Sequence, residues 1–285
     1  MRAVKTLFLL TALTLLLVLG GEAMGGQQGM TIALFMAVVM NGGAYFFSDK
    51  IALMSSGAQP VSREQLPRLY TVMERLTAKA SLPMPKLYVI PQAAPNAFAT
   101  GRNPAHASVA VTAGLMELMN DDELEGVIAH ELSHVRNYDI LITSIAATLA
   151  GAITWIASMG RWAMIFGGFG RSRDDERGGG GLAALLMLIV APVAAMLIQL
   201  GISRQREFSA DASGVRMVGH ANGLISALEK LGAYNNRIPM DVSLATASLF
   251  IVAPLSAGQV FSGLFSTHPP LAERIAVLRN LDISR

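Results

Sequence analysis

The sequence contains no cysteine. Disulfides, thiolate metal sites and cysteine nucleophiles are therefore excluded. Charge is scarce too: Asp, Glu, Lys and Arg make up 15% of the 285 residues, against about 25% in an ordinary soluble domain. That shortage argues against disorder, coiled coil and an ordinary soluble enzyme together. Lys and Arg total 22 against 20 acids, a formal net charge of +2, which is too small an excess to mark a nucleic-acid partner. The remaining soft-metal ligands are five histidines, His106, His130, His134, His220 and His268.

What the chain has in excess is apolar sequence, 52% of it hydrophobic. Four charge-free runs reach or approach the ~20 residues of a spanning helix: residues 6–21, 23–48, 140–160 and 182–203. The first, behind a basic start, also fits a signal peptide, although a second apolar run follows at once. The linker 22–29 lacks Lys and Arg, whereas Arg2, Lys5, Lys50 and Arg63 flank the pair on the other side. The positive-inside rule then puts the N-terminus and the chain after Lys50 in the cytoplasm. The loop 161–181 carries Arg161, Arg171, Arg173 and Arg177, so a second hairpin either spans against that rule or packs into the soluble part. The implied organisation is an N-terminal transmembrane hairpin over 1–49, a first folded part outside the bilayer over 50–138, a second hydrophobic hairpin over 139–203 and a second such part over 204–285.

Between the hairpins, Ser62 with Gln65 makes a capping-box pattern, and Leu66, Leu69, Val72, Met73 and Leu76 follow at helical spacing. Residues 87–90, 97–99 and 108–111 are short strand-like runs separated by Pro, Asn and Gly, which predict a small sheet. Asn120, with Glu123 three residues on, caps a helix predicted over about 121–136. Two further helices are predicted over 221–231, stopped by Gly232, and over 271–281.

On the 121–136 helix sits His130-Glu131-Leu-Ser-His134. Two histidines four apart project from one face and can converge on one ion at about 2.0–2.1 Å. Glu131 lies beside the first and can reach water at the ion without ligating it. With five histidines in 285 residues, the pattern arises by chance about 0.003 times. A catalytic zinc needs a third protein ligand. No third histidine follows His134 within helical reach, so an acid must supply it. Spacing alone leaves Glu207, Glu229 and Glu273 open.

The run HELSHVRNYD, a hydrophobic hairpin and then REFSAD resembles the HtpX-type membrane zinc metalloproteases across essentially the whole chain. It is more distantly similar to the CAAX prenyl proteases and the thermolysin-like gluzincins. The resemblance implies a mainly α fold with a small β-sheet, a zincin-like (gluzincin) catalytic domain combined with transmembrane helices. It implies one Zn2+ per chain on His130, His134 and Glu207, with Asp211 accepting from a ligating histidine. Asn96, Ala97, Phe98 and Ala99 resemble an edge strand that binds substrate backbone. His268, before Pro269, resembles a residue that donates to the developing oxyanion. Arg274 pairs with an acid near the site or is solvated. Asp139 is expected to cap a helix or sit at the membrane interface.

The expected function is that of a multi-pass zinc endopeptidase in a bacterial-type cytoplasmic (inner) membrane with a cytoplasmic active site. Its expected partners are the lipid bilayer and peptide or membrane-protein substrates, with quality control of misfolded or damaged proteins implied by the family. The oligomeric state is left open. The alternatives are a prenyl-peptide protease, for which four apolar runs are few, and a proteolytically silent zinc-binding scaffold, which would not need Glu131. A transporter is the third, and the apolar runs hold almost no ionisable groups for one.

Overall fold

The computed structural model describes residues 2–149, 204–235, 237, 240, 244–247, 249–252 and 269–282. The arginine-rich loop, the fourth apolar run and His268 lie outside these residues.

Residues Arg2–Ser55 form the helical segment α1, which doubles back on itself as a hairpin. Asn41 Nδ2 donates to the Leu10 carbonyl at 3.3 Å and to Thr14 Oγ1 at 2.8 Å. In a straight helix, residues 31 apart would be separated by about 46 Å. The reversal falls at Gly26, whose φ is +57°, a left-handed conformation that costs a residue with a Cβ. The second arm, Gly26–Ser55, is long and apolar enough to cross a bilayer. It exposes Leu34, Phe35, Val38, Val39, Phe46 and Phe47, as a lipid-facing helix would.

A four-stranded mixed sheet follows, in the order β1-β2-β4-β3: β1 (Gln59–Pro60), β2 (Lys86–Ile90), β3 (Ala97–Gly101) and β4 (Ala107–Thr112). β2 and β4 run parallel, and β3 runs antiparallel to β4 as an edge strand. Alternation sorts the side chains between two faces. Leu87, Ala97, Ala99, Val109 and Val111 join the main core with α2 (Pro67–Ala80) and α4 (Asp121–Arg136). Ile90, Phe98 and Ala110 pack with Ala52 and Leu53 of α1 and with Phe250. The mainly helical chain with one small sheet matches the expected fold class.

Helix α2 starts later than its capping signal suggests. The Ser62 N–H does donate to Gln65 Oε1 at 2.8 Å, but Pro67 keeps Leu66 out of helical geometry (ψ 65°) and takes the first helical position itself. After the short α3 (Ala113–Leu118) comes α4, closed by the expected capping box of Asn120 and Glu123. An apolar helix α5 (Asp139–Leu149) follows. Then come α6 (Arg204–Val218), α7 (Asn222–Asn235), α8 (Leu244–Ala247) and α9 (Leu271–Arg279). Helix α7 runs through Gly232 instead of stopping there. One glycine costs a helix only about 1 kcal/mol, and buried Leu228 and Leu231 outweigh it.

Helix α4 lies at the centre, buried along most of its length, with α2, α6, α7 and the sheet around it. Helix α6 crosses it at Gly214, where a Cβ would lie 3.0 Å from the His130 nitrogen and 3.1 Å from the Ala129 carbonyl carbon. Because those neighbours are backbone, they cannot yield by a rotamer change. Gly214→Ala is expected to lower stability by about 1–3 kcal/mol, as overpacking does, whereas exposed Ser209→Ala on the same helix should stay within ~0.5 kcal/mol. Thermal melts of the two detergent-solubilised variants check this.

Candidate metal centre

His130 and His134 point from one face of α4 with their rings at 88° and their centroids 4.8 Å apart. Their Nε2 atoms are 3.2 Å apart. The close crossing at Gly214 brings Glu207, on the first turn of α6, against both: Oε1 lies 3.5 Å from His134 Nε2 and Oε2 lies 3.7 Å from His130 Nε2. The remaining acids that spacing left open lie elsewhere. Glu229 pairs with Arg279 on the surface, and Glu273 is exposed.

Each imidazole is oriented from behind. His130 Nδ1 donates to Asp211 Oδ1 at 2.8 Å, and His134 Nδ1 to Asp139 Oδ2 at 3.4 Å. With the Nδ1 atoms so engaged, both Nε2 atoms face one point, where an ion can take the place of the proton between them. Ligands 2.0–2.1 Å from a tetrahedral zinc stand about 3.3 Å from one another, close to the spacings of this trio. Two imidazole nitrogens and a carboxylate oxygen suit zinc, so the donor set fits the ion in both number and chemistry.

The charges around the trio are buried and paired. Fully buried Arg274 forks onto Asp211, Nε to Oδ2 at 2.8 Å and Nη2 to Oδ1 at 2.6 Å. Burial alone would raise the Asp211 pKa, but the guanidinium outweighs it and holds it down to about 2. Burial pushes the His130 pKa down, against the pull of Asp211. For His134, burial is outweighed by Asp139, Glu207 and Glu131, and the pKa rises to about 9. An ion entering the site must therefore displace a proton from His134. Glu131, 2% exposed, is pushed up to about 7, chiefly by burial. It also accepts a hydrogen bond from the backbone N–H of Ala99, which places the strand beside the helix carboxylate.

The structure brings His130, Glu131, His134, Glu207 and Asp211 together. Asn96 is buried at 2% exposure and bonds the backbone of Val252. Phe98 points into the core on the α1 side, while Ala97 and Ala99 carry their backbone groups on the edge of β3 that faces away from β4. His106 and His220 are exposed. Two residues gain a place that sequence spacing did not give them. Asp139, the first residue of α5, is also buried beside His134: α4 ends at Arg136, and Tyr138 takes a left-handed φ of 58°, reversing the chain so that Asp139 faces back. An i+5 spacing carries no such signal, because helical neighbours lie at i+3 and i+4. Arg274 is paired, not solvated, and nothing in its local sequence marks it.

The sequence profile of peptidase family M48 matches residues 63–282. The chain is 57% identical over 275 residues to a protease HtpX homolog of Desulfatibacillum aliphaticivorans, covering 96% of this chain and 88% of that one. It is 52% identical to a protease HtpX homolog of Syntrophobacter fumaroxidans, over 97% and 98% of the two chains. Its fold is similar to the crystal structure of S. mikatae Ste24p, with a TM-score of 0.52 and 21% identity, covering 97% of this chain and 65%, under two thirds, of that one. Asp139→Asn and Asp211→Asn are each expected to weaken zinc affinity 10–100-fold, whereas exposed Asp122→Asn leaves it unchanged. Competition titration against a chromogenic chelator measures all three.

Proposed function

The chain belongs to peptidase family M48, and on that premise we propose that it is a membrane zinc endopeptidase in which His130, His134 and Glu207 hold the ion and Glu131 is the base. The observation that carries this is the trio of donor atoms, all within 4.8 Å of one another, with a buried carboxylate of raised pKa alongside. When bound, zinc polarises the scissile carbonyl and acidifies water. Glu131 takes the proton of the attacking water and delivers it to the leaving amine. Burial in a closed cleft strengthens these charge interactions. Asp211 and Asp139 keep the imidazoles turned to the ion, and Arg274 keeps Asp211 ionised. The outward edge of β3 aligns an extended peptide through backbone hydrogen bonds. His268 donates to the developing oxyanion.

In the proposed organisation, residues 50–138 and 204–285 build the catalytic part around the second hydrophobic hairpin, 139–203, and the 1–49 hairpin anchors it. The positive-inside pattern supports a cytoplasmic active site in an inner membrane. A site beside the bilayer suits misfolded or damaged membrane proteins as substrates, and quality control as the role.

Purified protein is expected to hold one zinc per chain, and His130→Ala, His134→Ala or Glu207→Gln to lose most of it. Glu131→Gln should keep zinc and fold yet lose activity by at least about 10²–10⁴. Metal analysis and cleavage of a membrane-protein substrate in zinc-loaded detergent check this, and wild-type turnover by Glu131→Gln sinks the mechanism. Topology reporters fused after Lys50 and after Arg285 should read cytoplasmic, and one near Gly179 external if the 139–203 hairpin spans and cytoplasmic if it does not.

A further inference from the structure

Asn96 pairs with β4 through its carbonyl, which accepts from the Thr112 N–H at 2.9 Å. By the alternation of an antiparallel ladder, Phe98 and Thr100 also face β4, and the N–H and C=O groups of Ala97, Ala99 and Gly101 face away from it. The chain itself lies on part of that edge. The Ile251 N–H donates to the Ala97 carbonyl at 3.0 Å. The Asn96 side chain clasps Val252 on both sides: Nδ2 donates to its carbonyl at 2.8 Å and Oδ1 accepts from its N–H at 3.4 Å. Arg274 Nη1 donates to the Ile251 carbonyl at 3.0 Å. All four backbone polar groups of Ile251 and Val252 are thus held by Asn96, Ala97 and Arg274. Phe250 is fully buried, edge-on to Phe98 with centroids 5.0 Å apart. The cleft left between this segment, His130, Glu131, His134 and Glu207 is about 20 Å³, room for a water but not for a peptide.

Backbone-only capture along a strand edge, with an apolar side chain in an adjoining pocket, is how an extended peptide binds by β-augmentation. We propose that Phe250–Val252 is an internal occupant of the peptide-binding edge, a strap that a substrate must displace and whose chemistry names the substrate class: an extended, uncharged segment with a large apolar side chain where Phe250 sits. This rests on β3 being the substrate edge. Such segments belong to membrane spans and protein cores, and become available in extended form only when those structures have come apart. Because substrate competes with a covalently attached strap, apparent affinity is reduced by the fraction of molecules whose edge is free. Weakly apolar or folded chains are thereby turned away.

The probe is a fluorophore-labelled hexapeptide of the strap sequence, Ser-Leu-Phe-Ile-Val-Ala, added to the full-length, zinc-loaded Glu131→Gln protein in detergent. Hydrogen exchange of the Ile251 and Val252 amides should speed up as the peptide binds, because the strap gives up its partners. Ile251→Pro removes the N–H that Ala97 accepts, and is expected to bind the peptide about tenfold tighter or more with zinc retained. The same peptide with Asp for Phe should bind neither protein. If the peptide binds while Ile251 and Val252 keep their protection, the strap is a fixed wall and the proposal fails. It fails equally if the peptide binds neither protein. Turnover by the wild type is assayed separately: strap displacement without any hydrolysis would overturn the catalytic assignment and leave the strap standing, and hydrolysis without displacement would do the reverse.

Discussion

Two imidazole nitrogens facing each other at 3.2 Å inside a closed core set the terms for the rest of this molecule. At that distance either one ring carries a proton toward the other or a cation lies between them. The surroundings hold them there all the same: Asp211 and Asp139 fix the far side of each ring, and Glu207 adds negative charge to the near side. Burying so many charged groups costs several kcal/mol per ion unless each is paired. Arg274 meets that need for Asp211 by a bidentate fork. An isolated carboxylate there would be driven toward neutrality by burial, and would then serve poorly as the acceptor that fixes His130.

The same guanidinium also reaches the Ile251 carbonyl. One side chain therefore touches the group that orients a candidate ligand and the segment lying on the sheet edge. On the other side of the site, the Ala99 N–H meets the Glu131 carboxylate. The strand edge, the proposed base and the segment on the edge form one bonded unit, so the position of a chain along β3 is felt at the groups that would act on it.

How these elements come together follows from backbone clearance. Gly214 lets α6 lie against α4 at His130, and without that contact Glu207 and Asp211 would stand away from the imidazoles. Tyr138 accepts a left-handed backbone, which costs of order 1–3 kcal/mol, and this reversal turns Asp139 back to His134 at the start of an apolar helix. The site thus lies where the soluble core meets membrane-type sequence. The hairpin of α1 adds its own constraint at the other side of the sheet, where Ala52 and Leu53 cover Phe98 and Ile90.

By itself the sequence determined what depends on neighbours along one element. A capping box and a helical period placed α4 to the residue, and a spacing of four put His130 and His134 on one face with Glu131 beside them. Resemblance to a family extended this to Glu207 and Asp211, which spacing could not separate from Glu229 and Glu273. Alternation and turn residues gave three short strands, and a shortage of charge announced the apolar arms. Only tertiary structure decided what depends on contacts across the chain. Helix–helix crossing chose Glu207 as the acid beside the imidazoles, although Glu229 and Glu273 are chemically equal. A broken helix turned Asp139 inward, and a charge pair formed over 63 residues buried Arg274. Asn96 came to hold Val252 across 156 residues. The physical reason is the same in each case: local periodicity fixes the direction of a side chain relative to its own element, while its partner is fixed by how closely two backbones can approach.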